Sequence, residues 1–335
     1  MTQKTQGIDE TAAALAATDG WFLRHGLTYF VPEQRAAVRR PLRPRRTVTM
    51  GTAVVVGGAA AGVALAWLSG DAGAAPALLL TLAALAALVY GVTALRAGRI
   101  LAWALERTAG SARRLLPMVT RALPLLLLFV TFLFISADVW QMAANMPIGA
   151  MWLVVLLFVA TALLFLVIRL PEEVDRVDDD VDDDFLLRAC RGTPLEGSCA
   201  ALVADPDADP ASYATITGYE RWNLVLSLLV INLAQVLMLS IGVFIFLLVF
   251  GSLAMADGVQ LAWTQHAALH SVPGLPNVST DLVRVSVFLS SFSLLYLTVS
   301  TVTDDTFRAQ FFGSVTRELE RAVGMRAVYL ALRTR

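Results

Sequence analysis

The chain has 335 residues, of which 57% are apolar, and its formal net charge is −1. Soluble domains average about 45–50% apolar residues, and the excess here lies in runs of about twenty residues with almost no charge, the length that crosses a hydrocarbon core. This pattern excludes an ordinary soluble domain. Because a backbone in lipid must satisfy its own hydrogen bonds, the sequence predicts an all-α fold, a six-span transmembrane helical bundle with cytoplasmic amphipathic helical extensions.

The predicted spans and their connections divide the chain into seven segments. The spans are expected at residues 48–68, 75–95, 123–140, 149–170, 224–255 and 285–303. The segments are a basic N-terminal part at 1–47, spans one and two at 48–95, an arginine-rich helix at 96–121, spans three and four at 122–170, an acidic loop and stalk at 171–221, spans five and six at 222–303 with an outer segment at 256–281, and an amphipathic C-terminal helix at 304–335.

The basic residues are strongly segregated along the chain. Of the 26 Lys and Arg residues, 25 lie in the segments 1–48, 96–121, 169–221 and 304–335. Since positively charged connections stay in the cytoplasm, both termini are predicted to be cytoplasmic, with Arg284 on the outer side. Almost all of the basic residues are arginines, and Lys4 is the one lysine. Together with the abundance of Ala, Leu and Val, this indicates a GC-rich bacterial genome and predicts a multi-pass protein of the bacterial plasma membrane.

The N-terminal segment ends in "RAAVRRPLRPRR" (35–46), directly before span one. Each such charge near an anionic lipid surface contributes about 1 kcal/mol to membrane binding, so this segment is expected to contact anionic lipids. It has no base-stacking platform and no recognisable nucleic-acid-binding fold, so no nucleic-acid partner is expected.

Small residues indicate where spans contact other helices, and aromatic residues indicate where they meet the membrane surfaces. Gly58 and Gly62 form a GxxxG motif, which lets two helices approach closely. The motif fits either packing inside the bundle or a dimer interface. The tryptophans at predicted span ends, where aromatic residues are enriched, are Trp67, Trp140 and Trp152 on the outer side and Trp222 on the inner side.

The stretch "LPEEVDRVDDDVDDDF" follows span four and has nine carboxylates between residues 172 and 184. Its apolar residues recur at helical spacing, namely Leu170, Val174, Val177, Val181 and Phe185. This spacing predicts an amphipathic acidic stalk that continues span four. The residues of its charge-pairing or cation-binding face are Asp175, Asp178, Asp179, Asp180, Asp182, Asp183 and Asp184. Three alternatives remain open: pairing with the arginines of the helix 97–116 and of the two terminal segments, a solvated face, and a bound divalent cation, the one cofactor that the sequence leaves possible.

The rest of the predicted cytoplasmic loop contains two capping boxes. "TPLE" at 193–196 predicts a short helix from 194 to 204, and "TGYE" at 217–220 predicts the start of span five. Cys190 and Cys199 lie in the same loop, where a reducing compartment argues against a disulfide and the lack of nearby histidine argues against zinc. Span five is unusually long, and Gly242 and Gly251 are its candidate flexible points.

A polar stripe interrupts the last two spans. Its members are Asn232, Gln235, Ser286, Ser290, Ser293 and Ser300. Polar groups inside spans are costly and therefore invite an explanation. Small and amide residues of this kind either mediate helix packing or line a pore.

The outer side contributes four further candidate residues, Asp138, His266, His270 and Arg284. The segment 256–281 is expected to form an interfacial or re-entrant helix, on which the two histidines, four residues apart, would share one face. They are interpreted as surface residues, a pH-sensing element, or two ligands of a metal of unknown identity. Asp138 is interpreted as a solvated residue or a cation entry site, with Arg284 as its possible partner.

The runs "RWNLVLSLLVINLAQVLMLSIGVFIFLLVFG" (221–251) and "TVTDDTFRAQFFGSV" (301–315), followed by "RAVYLAL" (326–332), resemble uncharacterised integral membrane proteins of actinobacteria. The resemblance covers roughly residues 118–335. It implies a bacterial polytopic membrane protein with an acidic cytoplasmic loop. It implies no particular activity.

No catalytic motif accompanies these features. The chain has no Walker A, HExxH or GxSxG sequence, and the DDxxD spacing of Asp179, Asp180 and Asp183 lacks the second aspartate motif that a membrane prenyltransferase needs. The sequence therefore predicts a non-catalytic membrane scaffold or regulatory subunit that acts through charged cytoplasmic helices. The alternative is a homo-oligomeric ion channel or small transporter, with spans five and six lining the path and an acidic cytoplasmic vestibule. The expected partners are a membrane protein or further copies of the chain.

Overall fold

The computed structural model describes the backbone of residues 2–39, 44–93, 96–179, 181–303 and 305–334, and the side chains of 11–37, 48–49, 51–93, 96–108, 110, 124–177, 181–300 and 317–334. The helices within these ranges are α1 (Thr2–Arg24), α2 (Pro32–Arg39), α3 (Pro44–Ser69), α4 (Ala74–Thr93), α5 (Gly98–Phe134), α6 (Ala137–Asn145), α7 (Ile148–Asp179), α8 (Asp183–Cys190), α9 (Glu196–Val203), α10 (Gly218–Ala254), α11 (Asp257–Thr264), α12 (Thr280–Thr303) and α13 (Asp305–Thr334). Two 3₁₀ helices, Thr28–Phe30 and Pro210–Tyr213, and an antiparallel hairpin of β1 (Ser271–Val272) and β2 (Leu275–Ser279) complete the fold.

The prediction of an all-α membrane bundle is confirmed. The helical segments long and apolar enough to cross a membrane are Gly51–Ser69, Ala74–Thr93, Ile148–Val177, Gly218–Ala254 and Thr280–Ser300. A sixth crossing arises if the bent pair Pro124–Phe134 and Ala137–Asn145, which meet at 76°, is a single span.

Span three differs from the prediction in two respects: its helix begins earlier, and the chain breaks within the predicted span. The arginine-rich helix is predicted at 97–116 and span three at 123–140, yet α5 runs without interruption from Gly98 to Phe134. A proline inside a helix removes one hydrogen bond and kinks the axis, which neighbouring contacts can offset. The chain instead breaks at Ile135 and Ser136, where the backbone becomes extended before α6 begins.

The break in span three also moves Trp140 away from the expected interface. Its side chain is completely buried, and its indole N–H donates to the carbonyl of Phe134 at 2.7 Å. The ring packs edge-on against Phe134 and Trp263. Trp140 therefore satisfies a carbonyl freed by the end of α5, whereas the other three tryptophans of the predicted belt are exposed.

The predicted acidic stalk is two helices rather than one. The helix of span four continues through Pro171, as predicted, but α7 ends at Asp179. Asp182 then starts α8, because its carboxylate accepts a hydrogen bond from the backbone N–H of Phe185 at 2.6 Å. The apolar face survives this break: Leu170, Val174 and Phe185 are buried in the main core, so the predicted inward face is correct.

Helix α10 lies at the centre of the bundle. It packs against α5, α7 and α12, while α3 and α4 form a hairpin that joins the bundle through α7. The GxxxG motif is used inside this hairpin, since a Cβ on Gly62 would lie 2.6 Å from the carbonyl oxygen of Ala75 and one on Gly58 would lie 2.9 Å from Leu79 Cδ1. Gly242 and Gly251 do not interrupt α10, which is one helix of 37 residues.

Both termini pack at the same end of the bundle, which we call the terminal end. The hydroxyl of Tyr329 on α13 donates to Asp19 on α1 at 2.9 Å. Gly324 of α13 lies against Ala189 of α8, so closely that a side chain there would clash. The terminal helix thus packs on α1 and α8. We call the opposite end, with α6, α11 and the hairpin, the hairpin end.

Candidate functional site

The polar stripe of the last two spans lies inside the protein. Asn232, Gln235, Ser286, Ser290 and Ser293 are buried, and Ser300 is half-buried. One contact joins the two helices directly, because the hydroxyl of Ser240 on α10 donates to the carbonyl of Ser290 on α12 at 2.6 Å. These positions fit the helix-packing interpretation.

Most described groups of this stripe satisfy themselves locally. The amide of Asn232 donates to the carbonyl of Leu228 at 2.9 Å, and the hydroxyl of Ser293 donates to the carbonyl of Leu289 at 2.8 Å. Two buried atoms, Gln235 Oε1 and Ser286 Oγ, have no hydrogen-bond partner within the described part of the chain. An unpartnered buried polar atom is unusual and needs an explanation.

Within the described side chains, the acidic segment pairs with arginines of α7 and of the start of α10. Asp175 accepts from the guanidinium of Arg221 at 2.6 Å, and Arg221 belongs to the start of α10. Two further pairs, Arg176 with Glu173 and Arg169 with Glu172, stay within one turn of α7. The arginine-rich helix instead reaches α13, through Arg107 and Glu318 at 3.0 Å. The predicted carboxylates of Asp178, Asp179 and Asp180 lie outside the described side chains.

The first turn of α8 presents carboxylates to solvent. Asp183 and Asp184 are exposed, and the opposite face of the same helix buries Phe185, Leu186 and Ala189. We call the exposed pair the α8 acidic face. Asp182 is also exposed, but it is the residue that caps the helix.

A buried ionic cluster at the terminal end was missed by the sequence reasoning. Glu220, interpreted as part of a capping box, is 4% exposed, and the side chain of Thr217 makes no capping bond. The carboxylate of Glu220 accepts from Arg326 Nε at 2.6 Å and from Arg35 at 2.5 Å. Arg326 also donates to the carbonyls of Tyr213 and Thr215. The cluster joins three segments that are far apart in sequence, at residue 35, at residues 213–220 and at residue 326, so spacing along the chain gives no signal for it.

Asn223 completes the docking of the N-terminal segment onto α10. Its side chain donates to the carbonyl of Gly26 at 2.9 Å and accepts from the backbone N–H of Tyr29 at 2.8 Å. The residue is completely buried. Because a buried backbone group without a partner is costly, Asn223 fixes the turn that leads out of α1.

The two cysteines are buried thiols that face one another across α8 and α9. A hydrogen bond to Cys199 and burial both raise the pKa of Cys190. The same hydrogen bond, received from Cys190, lowers the pKa of Cys199, while burial opposes the effect. Both are free thiols, as the sequence predicts.

The outer segment contains a shorter helix than expected. Helix α11 ends at Thr264, because Gln265 adopts a left-handed conformation with φ of 60°. His266 and His270 therefore do not share a helical face. His270 is exposed, whereas His266 lies between Asp281 and a neighbouring helix.

The remaining outer candidates do not pair with each other. Arg284 donates to the carbonyl of Ala144 at the end of α6, at 2.5 Å, and Asp138 is exposed at the start of the same helix. Among the residues that the structure describes, no group of three or more His, Cys, Asp or Glu side chains is arranged to hold a metal ion. The divalent-cation hypothesis for the acidic segment depends partly on residues outside that description.

Comparisons with protein-family models, with curated proteins and with solved structures found no match to this chain. What the sequence and the fold establish together is a helical, multi-pass membrane protein with an ordered assembly of helices at its terminal end.

Proposed function

We propose that this protein is a non-catalytic scaffold or regulatory subunit of the bacterial plasma membrane, which binds a basic segment of a partner protein through the α8 acidic face. The observation that carries the proposal is the exposure of Asp183 and Asp184 on a helix whose other face is buried in the core. A charged patch on a rigid support loses little conformational entropy when it binds, which favours specific recognition.

The support beneath this face is well packed. Phe185, Leu186 and Ala189 belong to the main core, and α8 packs along α13. In the described part of the chain, neither Asp183 nor Asp184 takes part in an ion pair. Their charge therefore remains available to an arginine or lysine of another protein.

The proposed topology places the terminal end in the cytoplasm. The positive-inside rule supports this orientation, since the terminal helices and their connections have nearly all of the arginines. Anionic lipid would contact the basic N-terminal segment, whose central residues lie outside the described part of the chain.

Co-purification from native membranes tests the partner hypothesis. The full-length protein would be isolated by an affinity tag, and co-purified proteins would be quantified by mass spectrometry for the wild type and for a double Asp183→Asn and Asp184→Asn variant. We expect that the wild type retains a partner with a basic cytoplasmic segment and that high salt dissociates it. The amount of this partner recovered with the variant should be at least tenfold lower.

The matched control is the double variant Asp138→Asn and Asp257→Asn, which removes the same charge from the first turns of two helices at the hairpin end. The control should retain the partner. Asp182 is left intact because its loss would disturb the start of α8. An unchanged set of partners in the α8 double variant would contradict the proposal.

A conducting pathway is the second candidate, and the buried unpartnered atoms of Gln235 and Ser286 favour it. Such atoms would gain partners from water or from a passing ion. A proteoliposome flux assay with Gln235→Leu and Ser286→Ala tests this function. Flux that both substitutions reduce would support a pathway, and no flux of any common ion in the wild type would exclude it.

A further inference from the structure

His266 at the hairpin end lies between two hydrogen-bond acceptors. Its Nδ1 is 2.8 Å from a carboxylate oxygen of Asp281, at the start of α12. Its Nε2 is 3.0 Å from the side-chain oxygen of Asn145, at the end of α6. The imidazole thus joins the loop after α11 to two helices that belong to different parts of the sequence.

The orientation of the Asn145 amide is fixed independently of the histidine. Its nitrogen donates to the carbonyl of Gln141 at 2.8 Å and to the carbonyl of Thr264 at 3.0 Å. An amide nitrogen cannot accept, and a carbonyl cannot donate. The amide oxygen must therefore face His266, and Nε2 of the imidazole must carry the hydrogen of that contact.

The second contact needs a hydrogen as well. Asp281 is 4% exposed, and its carboxylate lies against Nδ1. A neutral imidazole has one N–H and one lone pair, so it can satisfy one of the two contacts while the other would bring two lone pairs together. Both contacts are satisfied when the His266 and Asp281 pair holds one proton more than a neutral imidazole beside a carboxylate.

We infer that this pair is a proton-dependent latch that fixes α6 and the α11 loop to the start of α12 on the outer face. When the proton leaves to bulk water, one of the two hydrogen bonds is lost. The latch is therefore closed when the pair holds this proton and loosens when a rise in pH removes it. A regulatory element of this kind lies beyond the scaffold function and does not depend on it.

Charged groups from several elements lie near the latch. Arg284, one turn after Asp281 on α12, donates to the carbonyl of Ala144 at the end of α6. The other titratable groups on the elements packed here are Asp138 on α6, Asp257 on α11 and His270 in the hairpin, and all three are exposed. Exposed groups are screened by water and therefore act weakly on the pair.

Hydrogen–deuterium exchange of the full-length protein in lipid nanodiscs tests the latch. Exchange of the backbone amides in α6 and α11 would be compared at about pH 6 and pH 9, a range that spans histidine titration, after correction for intrinsic rates. Loss of a hydrogen bond to a charged group changes the local opening constant about tenfold. We expect the local opening constant of the wild type to be about ten times larger at pH 9 than at pH 6.

Two variants and one control make the result specific. His266→Gln can donate one hydrogen bond and accept another but does not titrate, so its opening should be the same at both pH values. Asp281→Asn should likewise remove most of the pH dependence. The control His270→Gln removes an exposed histidine four residues away and should behave as the wild type. Equal opening of the wild type at both pH values, or a pH dependence that persists in His266→Gln, would overturn the inference.

Discussion

At the scale of single residues, Glu220 links distant segments of the chain at the terminal end. One carboxylate, 4% exposed, receives two guanidinium groups from opposite ends of the chain. A buried ion pair need not stabilise a protein relative to apolar residues, but removal of one partner leaves an uncompensated buried charge. Arg326 would be that charge, because its side chain is 10% exposed.

The substitution Glu220→Gln should therefore lower the free energy of unfolding by about 3 kcal/mol, the range found when a buried pair is broken. Thermal or SDS-induced unfolding in a constant detergent measures the change. Glu173→Gln is the control, since its partner Arg176 is half-exposed and surface pairs contribute about 0–1 kcal/mol. Equal stabilities of the two variants would mean that Glu220 contributes no more than a surface pair.

At the scale of elements, α10 shows how a long apolar helix is accommodated. Its 37 residues extend about 55 Å, more than a bilayer needs. The excess lies at the terminal end, where Glu220 and Asn223 belong to the cytoplasmic assembly proposed above rather than to the span. The two glycines do not act as hinges. Gly251 permits close packing, and Gly242 faces open space.

Alanine substitutions distinguish these two roles. A Cβ on Gly251 would lie 2.8 Å from Phe134 Cζ and would clash with Leu282, so Gly251→Ala should destabilise the protein by about 1–3 kcal/mol. Gly242→Ala meets no atom within 4 Å and should gain up to about 1 kcal/mol from helix propensity. Unfolding of the two variants in the same detergent measures both. A stabilising Gly251→Ala would contradict the packing role.

At the scale of the whole molecule, contacts between α1 and α13 place both termini at one end of the bundle. An even number of crossings produces this arrangement, so the bent pair α5–α6 would count as one of six spans. The contact of Tyr329 with Asp19 joins the two terminal helices, and the close approach of Gly324 to Ala189 adds α8 to the same assembly.

Reporter fusions test this topology. A reporter that is active only in the cytoplasm should be active at both termini and in the loop before α10, and inactive when it is inserted into the exposed turn at Gly274 between β1 and β2. Activity at one terminus alone would require an odd number of crossings. Such a result would show that α5–α6 does not cross the membrane as a single unit.

Much of this architecture could be predicted from local sequence. The spans follow from runs of apolar residues, and the inward face of the acidic segment follows from the helical spacing of Leu170, Val174 and Phe185. The position at which α10 starts agrees with "TGYE", although the side chain of Thr217 makes no capping bond and Glu220 pairs with arginines instead. These features depend on residues within a few turns of each other, where periodicity and hydropathy are sufficient.

The amino-acid sequence by itself determined the helical membrane fold, the approximate span positions and the apolar faces, because burial of apolar groups and backbone hydrogen bonding act locally. Only the tertiary structure decided where the buried polar groups find partners. Glu220 with Arg35 and Arg326, and His266 between Asp281 and Asn145, are pairs whose members are up to 185 residues apart. Such pairs form because an isolated polar group is costly inside a protein, and which groups meet depends on how the helices pack.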